Sequence, residues 1–225
     1  MKDLNHLIQK VEDKWLNKLF GACKEIFSKT LIPSHDQEHH KRVWKICKEI
    51  ITELSSSFKI NEELLESCII ASFFHDTGLT KTLSQNHGFE SKMICLNYFE
   101  QNKLTKPANF IHILEAIEKH DDKEYKNQNN NPESLVSILC AADDLDAFGR
   151  IGVVRYTEIY LLRGLSINEL PSAVIENINK RFAHFESKFI FLPELYKKYK
   201  DQYLIARDFF NEMSEEIENQ EKQNI

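Results

Sequence analysis

Apolar residues recur with the 3.6-residue period of an amphipathic helix along almost the whole chain. The segment 37–56 shows the pattern clearly, with apolar residues at the offsets i, i+3, i+4 and i+7 of one helix face. Similar segments predict helices at 3–29, 61–75, 88–101, 107–120, 133–148 and 150–163, and one or two long helices over 171–222 that are interrupted near Pro193. We therefore predict an all-α bundle of about eight to ten helices.

Loops and turn residues are few. The clearest predicted loop is 121–132, a polar run that is rich in asparagine. The chain has only 6 glycines and 5 prolines in 225 residues, which is too few for a β-sandwich or barrel that turns about every ten residues. Because 42% of the residues are apolar, the chain can bury a sizeable core, and its length predicts a single domain over 1–225.

Charge and cysteine content exclude several classes of protein. The net charge of −6 argues against an extended nucleic-acid surface, although a local basic pocket for a phosphate is compatible with it. The five cysteines are scattered without C-x-x-C spacing, which predicts small core residues and not disulfides or a zinc site. The first residues are charged where a signal peptide is apolar, and no apolar run has membrane-spanning length. We therefore expect a cytoplasmic monomer or homodimer without membrane contact.

Side chains typical of metal ligands occur at three places in the predicted helices. His39 lies four residues before Val43, and therefore on the buried face of its helix. His75 and Asp76 are adjacent at the end of a very apolar helix, and Asp143 lies on the inward face of another. A buried carboxylate without a partner is costly, so these placements indicate a cation. Two imidazoles and two carboxylates favour manganese, iron, nickel or zinc over magnesium or calcium.

These residues belong to three motifs in a fixed order. The motifs are S-H-D-x-x-H-x-x-R-V at 34–43, His-Asp at 75–76 and A-D-x-L-D-A-x-G at 142–149. Together they resemble the HD-domain metal-dependent phosphohydrolases, and most closely the small bacterial branch that acts on nucleotides. The resemblance continues through 149–155 and 204–210.

The resemblance covers about residues 30–215, and it implies an HD-domain helical bundle. Within the single domain it implies a metal-binding core at about 30–165 and a C-terminal helical extension at about 166–222. The metal ligands of the family, H…HD…D, fall on His39, His75, Asp76 and Asp143.

The implied function is metal-dependent cleavage of a phosphoanhydride or phosphoester bond in a small, nucleotide-like substrate. One divalent ion is expected, from manganese, nickel, iron, zinc or magnesium. Two are possible, because some subfamilies use a longer H…HD…H…H…D pattern that His87 and His120 would complete. With one ion, Asp76 would orient the attacking water or accept its proton. His87 and His120 would then stabilise phosphate oxygens or protonate the leaving group.

Three further residues are weaker candidates for substrate binding: Arg42, Glu90 and Asp146. Arg42 could reach a phosphate, and an ion pair is an equal alternative. Glu90 follows His87 by one helical turn and could act beside the metal site or lie at the surface. Asp146 could hydrogen-bond a metal ligand.

Other residues in these motifs have simpler interpretations. Asp36 is expected to cap the helix that follows it. His35 and His40 fall on other helix faces than the ligand, and we expect them to be exposed. In the third motif the register assigns the ligand to Asp143, so Asp144 faces elsewhere.

Two rival functions are compatible with the same residues. Some HD-domain proteins hold two irons and act as oxygenases, using the longer ligand pattern. A module that binds a nucleotide without cleaving it would keep the pocket but need no catalysis. The complete H…HD…D set argues against such a degenerate site.

Overall fold

The computed structural model describes residues 2–84, 87–120, 122, 124–125 and 131–223. In these ranges the chain forms nine α-helices and no strand, which confirms the predicted all-α fold class. The helices are α1 Lys2–Phe27, α2 Gln37–Leu54, α3 Glu62–Phe74, α4 His87–Gln101, α5 Phe110–Lys119, α6 Leu135–Asp146, α7 Gly149–Leu162, α8 Leu170–Phe189 and α9 Pro193–Gln223.

The observed helices begin and end within a few residues of the predicted positions. The predicted interruption near Pro193 is confirmed, because α8 ends at Phe189 and Pro193 is the first residue of α9. Proline has no backbone N–H to donate and is therefore favoured in the first turn of a helix. Most of the predicted loop at 121–132 lies outside the described residues.

The chain divides into two compact units, Met1–Asp143 and Asp144–Ile225. In the first unit α3 packs against α1, α2, α4 and α5. The fully buried apolar residues of α3 include Leu65, Cys68, Ile69, Ile70 and Phe73. From Ser67 to Phe74 every residue of α3 is buried, as expected for the part of a helix that lies in a core. The chain therefore leaves α3 inside the unit, and the next two residues, His75 and Asp76, are buried there.

Side-chain caps fix where α2 and α3 begin. Asp36 caps α2 by accepting hydrogen bonds from the backbone N–H groups of Glu38 and His39 at 3.0 and 3.2 Å, which confirms the predicted cap. Asn61 caps α3 by accepting from the Leu64 N–H at 2.8 Å. Such a cap stabilises a helix by about 1 kcal/mol. Because His39 lies in the first turn of α2, the Asp36 cap also fixes the position of His39.

The second unit contains α7, α8 and α9, and α9 packs against the other two. Aromatic rings form much of the interface between α8 and α9. Phe182 and Tyr203 stack with ring centroids 4.2 Å apart, and Phe185 stacks with Tyr196 at 6.4 Å. Stacked pairs of this kind contribute about 0.5–1.5 kcal/mol beyond the area they bury. The organisation as one domain, with an extension after about residue 165, stays a prediction.

The structure confirms the burial that the sequence predicted for the cysteines, but it contradicts the exposure predicted for two histidines. All five cysteines are buried, as predicted, and no disulfide joins any of the described residues. The exposure predicted for His35 and His40 is wrong, because both are buried. His40 is covered because its ring packs between those of Phe27 and His39, with centroids 5.2 and 5.0 Å away.

Among the described residues, no helix combines the length and apolarity that crossing a bilayer requires.

Candidate metal centre

Four atoms of the kind that bind metals converge at the end of α3. His39 Nε2 lies 3.2 Å from both His75 Nε2 and Asp76 Oδ2. Asp143 Oδ1 lies 3.7 Å from His75 Nε2 and 4.0 Å from His39 Nε2. All four side chains are buried, and one ligand atom from each lies within 4.8 Å of the others. We call these four residues the first cluster.

A second group shares Asp76 with the first. His87 Nε2 lies 3.1 Å from Asp76 Oδ1, and His120 Nε2 lies 3.0 Å from the same oxygen. The two Nε2 atoms are 3.2 Å apart. His87 is the first residue of α4, and His120 directly follows α5. We call Asp76, His87 and His120 the second cluster; all three are buried.

Asp76 connects the two clusters through its two oxygens. Oδ2 faces His39 at 3.2 Å and His75 at 3.4 Å, whereas Oδ1 faces both histidines of the second cluster. A carboxylate in this position can bridge two ions, as in sites where two metals lie about 3.5–4 Å apart.

Backbone carbonyls fix which ring nitrogen of several histidines faces the centre. The Nδ1 atoms of three histidines lie within hydrogen-bond distance of a carbonyl oxygen three residues earlier: His75 with Ser72 at 2.9 Å, His87 with Ser84 at 3.1 Å, and His120 with Ile117. A carbonyl oxygen only accepts, so Nδ1 carries a proton and a neutral ring presents the Nε2 lone pair. Metal-binding histidines are oriented in this way.

Two glycines allow the backbone segments around the second cluster to approach closely. A Cβ atom on Gly78 would lie 2.0 Å from the carbonyl oxygen of His87. A Cβ atom on Gly88 would lie 2.5 Å from the carbonyl oxygen of Glu118. Without side chains at these positions, the start of α4 lies directly against the turn after α3 and the end of α5. These contacts bring the second cluster together.

Burial and charge shift the pKa values of the cluster residues in different directions. Burial by itself would lower the pKa of His75, but Asp76 and Asp143 outweigh it and raise this pKa to about 10. Burial would raise the pKa of Asp76, but the charge of His75 and the close approach of the His120 and His39 rings, at 3.0 and 3.2 Å, hold it well below its usual range. Burial lowers the pKa of His120, and its bond to Asp76 offsets this only in part. At neutral pH, Asp76 is therefore charged, His120 is neutral, and His75 carries a proton that a bound cation would replace.

The spacing of the ligand atoms fits divalent ions. At a metal–ligand distance of about 2.1 Å, neighbouring ligand atoms lie about 3.0 Å apart in an octahedral shell and about 3.4 Å apart in a tetrahedral one. The separations in the first cluster are 3.2 to 4.0 Å, and those in the second are 3.0 to 3.2 Å. In the second cluster three acceptors converge, which a cation would stabilise. The mixed nitrogen and oxygen donors suit manganese, iron, nickel or zinc.

A family model for the HD domain matches residues 37–147. The match begins at the first residue of α2 and includes all the residues of both clusters. Residues 37–147 therefore form an HD domain. Most HD-domain proteins are hydrolases. Searches of curated proteins and of solved structures found no match to the chain.

The HD domain contains both clusters, but the three weaker candidates lie outside them. Arg42 in α2 and Glu90 in α4 are half-buried. Asp146 is buried at the end of α6, and its Oδ2 lies 3.0 Å from Arg155 Nη1. Substrate contact by these three residues stays a prediction.

The third HD motif also holds an arrangement that the sequence did not reveal. Asp144 is fully buried, and its Oδ1 accepts a hydrogen bond from Arg181 Nη1 at 2.9 Å. Its Oδ2 lies 3.4 Å from His184 Nδ1. The motif itself shows the carboxylate, but no spacing pattern links it to an arginine 37 residues later.

Proposed function

We propose that this protein is a metal-dependent phosphohydrolase that cleaves a phosphoanhydride or phosphoester bond of a nucleotide-like substrate. The observation that carries the proposal is Asp76, whose two oxygens each face a separate group of buried histidines. Membership of the HD-domain superfamily supports hydrolysis. The form of the first motif at 34–43 supports the nucleotide-cleaving branch.

We propose positions for two ions, one more than the single ion expected from the sequence. The first cluster would hold one ion and the second cluster the other, with Asp76 shared between them. When bound, such ions polarise a phosphoryl oxygen and lower the pKa of a coordinated water.

The chain's own residues would orient the reacting groups. Because the pKa of Asp76 lies well below its usual range, this carboxylate stays charged, and it is better suited to orienting a water by accepting a hydrogen bond than to storing a proton. His87 and His120 already donate from Nδ1 to carbonyl oxygens, so their Nε2 atoms are acceptors. That geometry supports a role as ligands over a role as proton donors to the leaving group.

Substrate contacts are proposed from the neighbours of the clusters. Arg42 lies three residues after His39 on α2, and its guanidinium is the group best suited to a phosphate. Glu90 lies three residues after His87 on α4. For Asp146, the ion pair with Arg155 supports a role within the fold.

A di-iron oxygenase is the second candidate. It is favoured by the second cluster, because a bridging carboxylate with histidines on both sides also suits two redox-active irons. Iron content, colour and oxygen consumption of the purified protein separate the two candidates, since a hydrolase needs no redox metal.

The setting of the proposed reaction follows from the composition. Five buried cysteines and no disulfide among the described residues fit a reducing compartment, so we propose a cytoplasmic enzyme with a small-molecule substrate. We propose a monomer or a homodimer.

A product screen tests the proposed function. The protein is stripped with EDTA, reloaded separately with manganese, nickel, iron, zinc or magnesium, and incubated with nucleoside mono-, di- and triphosphates. We expect release of phosphate or pyrophosphate with at least one metal and none after EDTA treatment. The Asp76→Asn variant should be inactive, whereas Asp201→Asn, which alters an exposed carboxylate of α9, should retain full activity.

Two results would contradict the proposal. Nucleotide binding without turnover under every metal would indicate a sensing module. Tightly held iron with consumption of oxygen would indicate the oxygenase.

A further inference from the structure

We propose that Arg181 is a positioning residue for the metal site: by holding Asp144 it fixes the rotation of the last turn of α6, and with it the direction of Asp143. This inference rests on the proposed function, because it assigns Asp143 to an ion. Arg181 belongs to α8 and is not a member of either cluster.

The last turn of α6 carries an unusual concentration of negative charge. Asp143, Asp144 and Asp146 all lie at the C-terminal end of this helix, and all three are buried. The C-terminal end of a helix already carries about half a negative charge from the aligned peptide dipoles. Three buried carboxylates at this end therefore oppose helix formation unless each has a cationic partner.

Asp144 and Asp146 each pair with a guanidinium. Arg181 Nη1 donates to Asp144 Oδ1 at 2.9 Å, and Arg155 Nη1 donates to Asp146 Oδ2 at 3.0 Å. Asp143 instead faces the two histidines of the first cluster. Each of the two neighbouring carboxylates is thus held by an arginine, and Asp143 is the carboxylate that faces the first cluster.

The two arginine pairs lie on either side of the proposed ligand. At about 100° per residue, Asp144 is rotated about 100° from Asp143 around the helix axis, and Asp146 is rotated about 60° in the opposite sense. Anchors on both sides oppose rotation of the turn in either direction. The direction of the Asp143 carboxylate is thereby fixed before an ion arrives.

Arg181 is itself held in place by neighbouring side chains. Its Nε donates to Asn177 Oδ1 at 2.8 Å, and Tyr156 Oη donates to the same oxygen at 2.9 Å. The guanidinium also lies over the Tyr156 ring, with its carbon 5.8 Å from the centroid. Both ends of the guanidinium are therefore used, one for Asn177 and one for Asp144. A lysine could supply the charge but not both directed hydrogen bonds.

Co²⁺ titration tests the inference directly. Metal-free wild type, Arg181→Met, Arg181→Lys and Arg207→Met are titrated with Co²⁺, and its visible absorption bands report affinity, stoichiometry and ligand geometry. Arg207→Met is the matched control, because Arg207 pairs with Asp208 at the exposed surface of α9. Thermal unfolding of each metal-free variant measures stability separately.

We expect Arg181→Met to bind Co²⁺ roughly ten- to a hundred-fold more weakly, with altered bands, as for other residues that orient metal ligands. Arg181→Lys should fall between Arg181→Met and the wild type, and Arg207→Met should match the wild type. If Arg181→Met does not fold, Arg181→Lys and Tyr156→Phe decide the matter, since both should weaken Co²⁺ binding several-fold.

Two results separate failure of this inference from failure of the proposed function. Wild-type affinity and bands in a folded Arg181 variant with a lower melting temperature would overturn the inference alone, because the arginine would then be only structural. A wild-type protein that binds no Co²⁺ would overturn the proposed function, and this inference with it.

Discussion

His87 and His120 direct their Nε2 atoms at each other across 3.2 Å, although they lie 33 residues apart in the chain. Each ring has its Nδ1 atom next to a backbone carbonyl oxygen, and Asp76 Oδ1 lies within 3.1 Å of both Nε2 atoms. Three acceptors that converge in a buried site repel one another unless a cation or proton lies between them. This relationship supports a second ion and distinguishes the site from a simple four-ligand centre.

Replacing His120 tests whether the second cluster holds an ion. His120→Ala should reduce the metal content from two ions per chain to one, and it should lower the turnover number by roughly a hundred-fold or more, because a bound ion contributes several kcal/mol of transition-state stabilisation. The control is His112→Ala, which removes an exposed histidine of α5, the helix that His120 follows, and should change neither quantity. Metal analysis together with the phosphate-release assay measures both effects. Retention of two ions in His120→Ala would exclude His120 as a ligand.

A methyl group added at Gly88 should separate His87 from His120. The new Cβ atom would collide with the carbonyl oxygen of Glu118, so the start of α4 must move away from the end of α5. We expect Gly88→Ala to lower the free energy of unfolding by about 1–3 kcal/mol and to weaken binding of the second ion.

Gly21→Ala is the matched control for this change. Gly21 lies within α1, and a Cβ atom there would meet nothing within 4 Å. Because alanine favours a helix more than glycine does, Gly21→Ala should raise the free energy of unfolding by about 0.5–1 kcal/mol. Denaturant unfolding and metal titration measure both variants. Equal metal binding by the two would contradict the role assigned to Gly88.

Asp143 and Asp144 should respond differently to the same isosteric change. Asp143→Asn removes a proposed ligand and should lose the first ion altogether. Asp144→Asn leaves the ligands in place but weakens the bond to Arg181, so it should retain the full number of ions at lower affinity. Equilibrium dialysis with Zn²⁺ measures stoichiometry and affinity together. The reverse result would mean that the ligand in the third motif is Asp144.

Metal affinity should rise with pH. In the metal-free protein the pKa of His75 is raised to about 10, so at pH 6 to 8 its ring is protonated and an ion must displace that proton. Because binding releases one proton, the apparent metal affinity should rise about tenfold for each unit of pH below about pH 10. Titration calorimetry in buffers of different ionisation enthalpy should detect the released proton. A pH-independent affinity with no proton release would contradict the assignment of His75 as a ligand.

The raised pKa of His75 also predicts that the metal-free protein becomes less stable as the pH rises. A pKa raised above the ordinary value of 6.5 means that the folded state holds the His75 proton more tightly than the unfolded state. The contribution of His75 to stability is therefore complete below about pH 6.5, and it is lost as the pH rises towards 10. Denaturant unfolding of the EDTA-treated protein, compared with His75→Gln, isolates this contribution. If the difference in the free energy of unfolding between the two proteins does not shrink as the pH rises, the stabilising role of the His75 proton is contradicted.

The sequence by itself determined the helices and the membership of the first cluster. Helix boundaries depend on local features, such as the apolar period, the Asp36 cap and the position of Pro193, and these can be read without knowledge of the rest of the fold. The ordered motifs identified His39, His75, Asp76 and Asp143, which the structure places together.

Only the tertiary structure decided how these residues are arranged around one another. The decisive contacts join residues that are 11 to 44 positions apart in the chain. They are the contacts of Asp76 with His87 and His120, of His87 with His120, and of Arg181 with Asp144. Such distances depend on how closely helices pack, as at Gly88, where the absence of a side chain lets two backbones meet. The period of a helix shows which face is buried but not which partner that face meets. For the same reason, the sequence placed His40 on a solvent-facing side although the rings of Phe27 and His39 cover it.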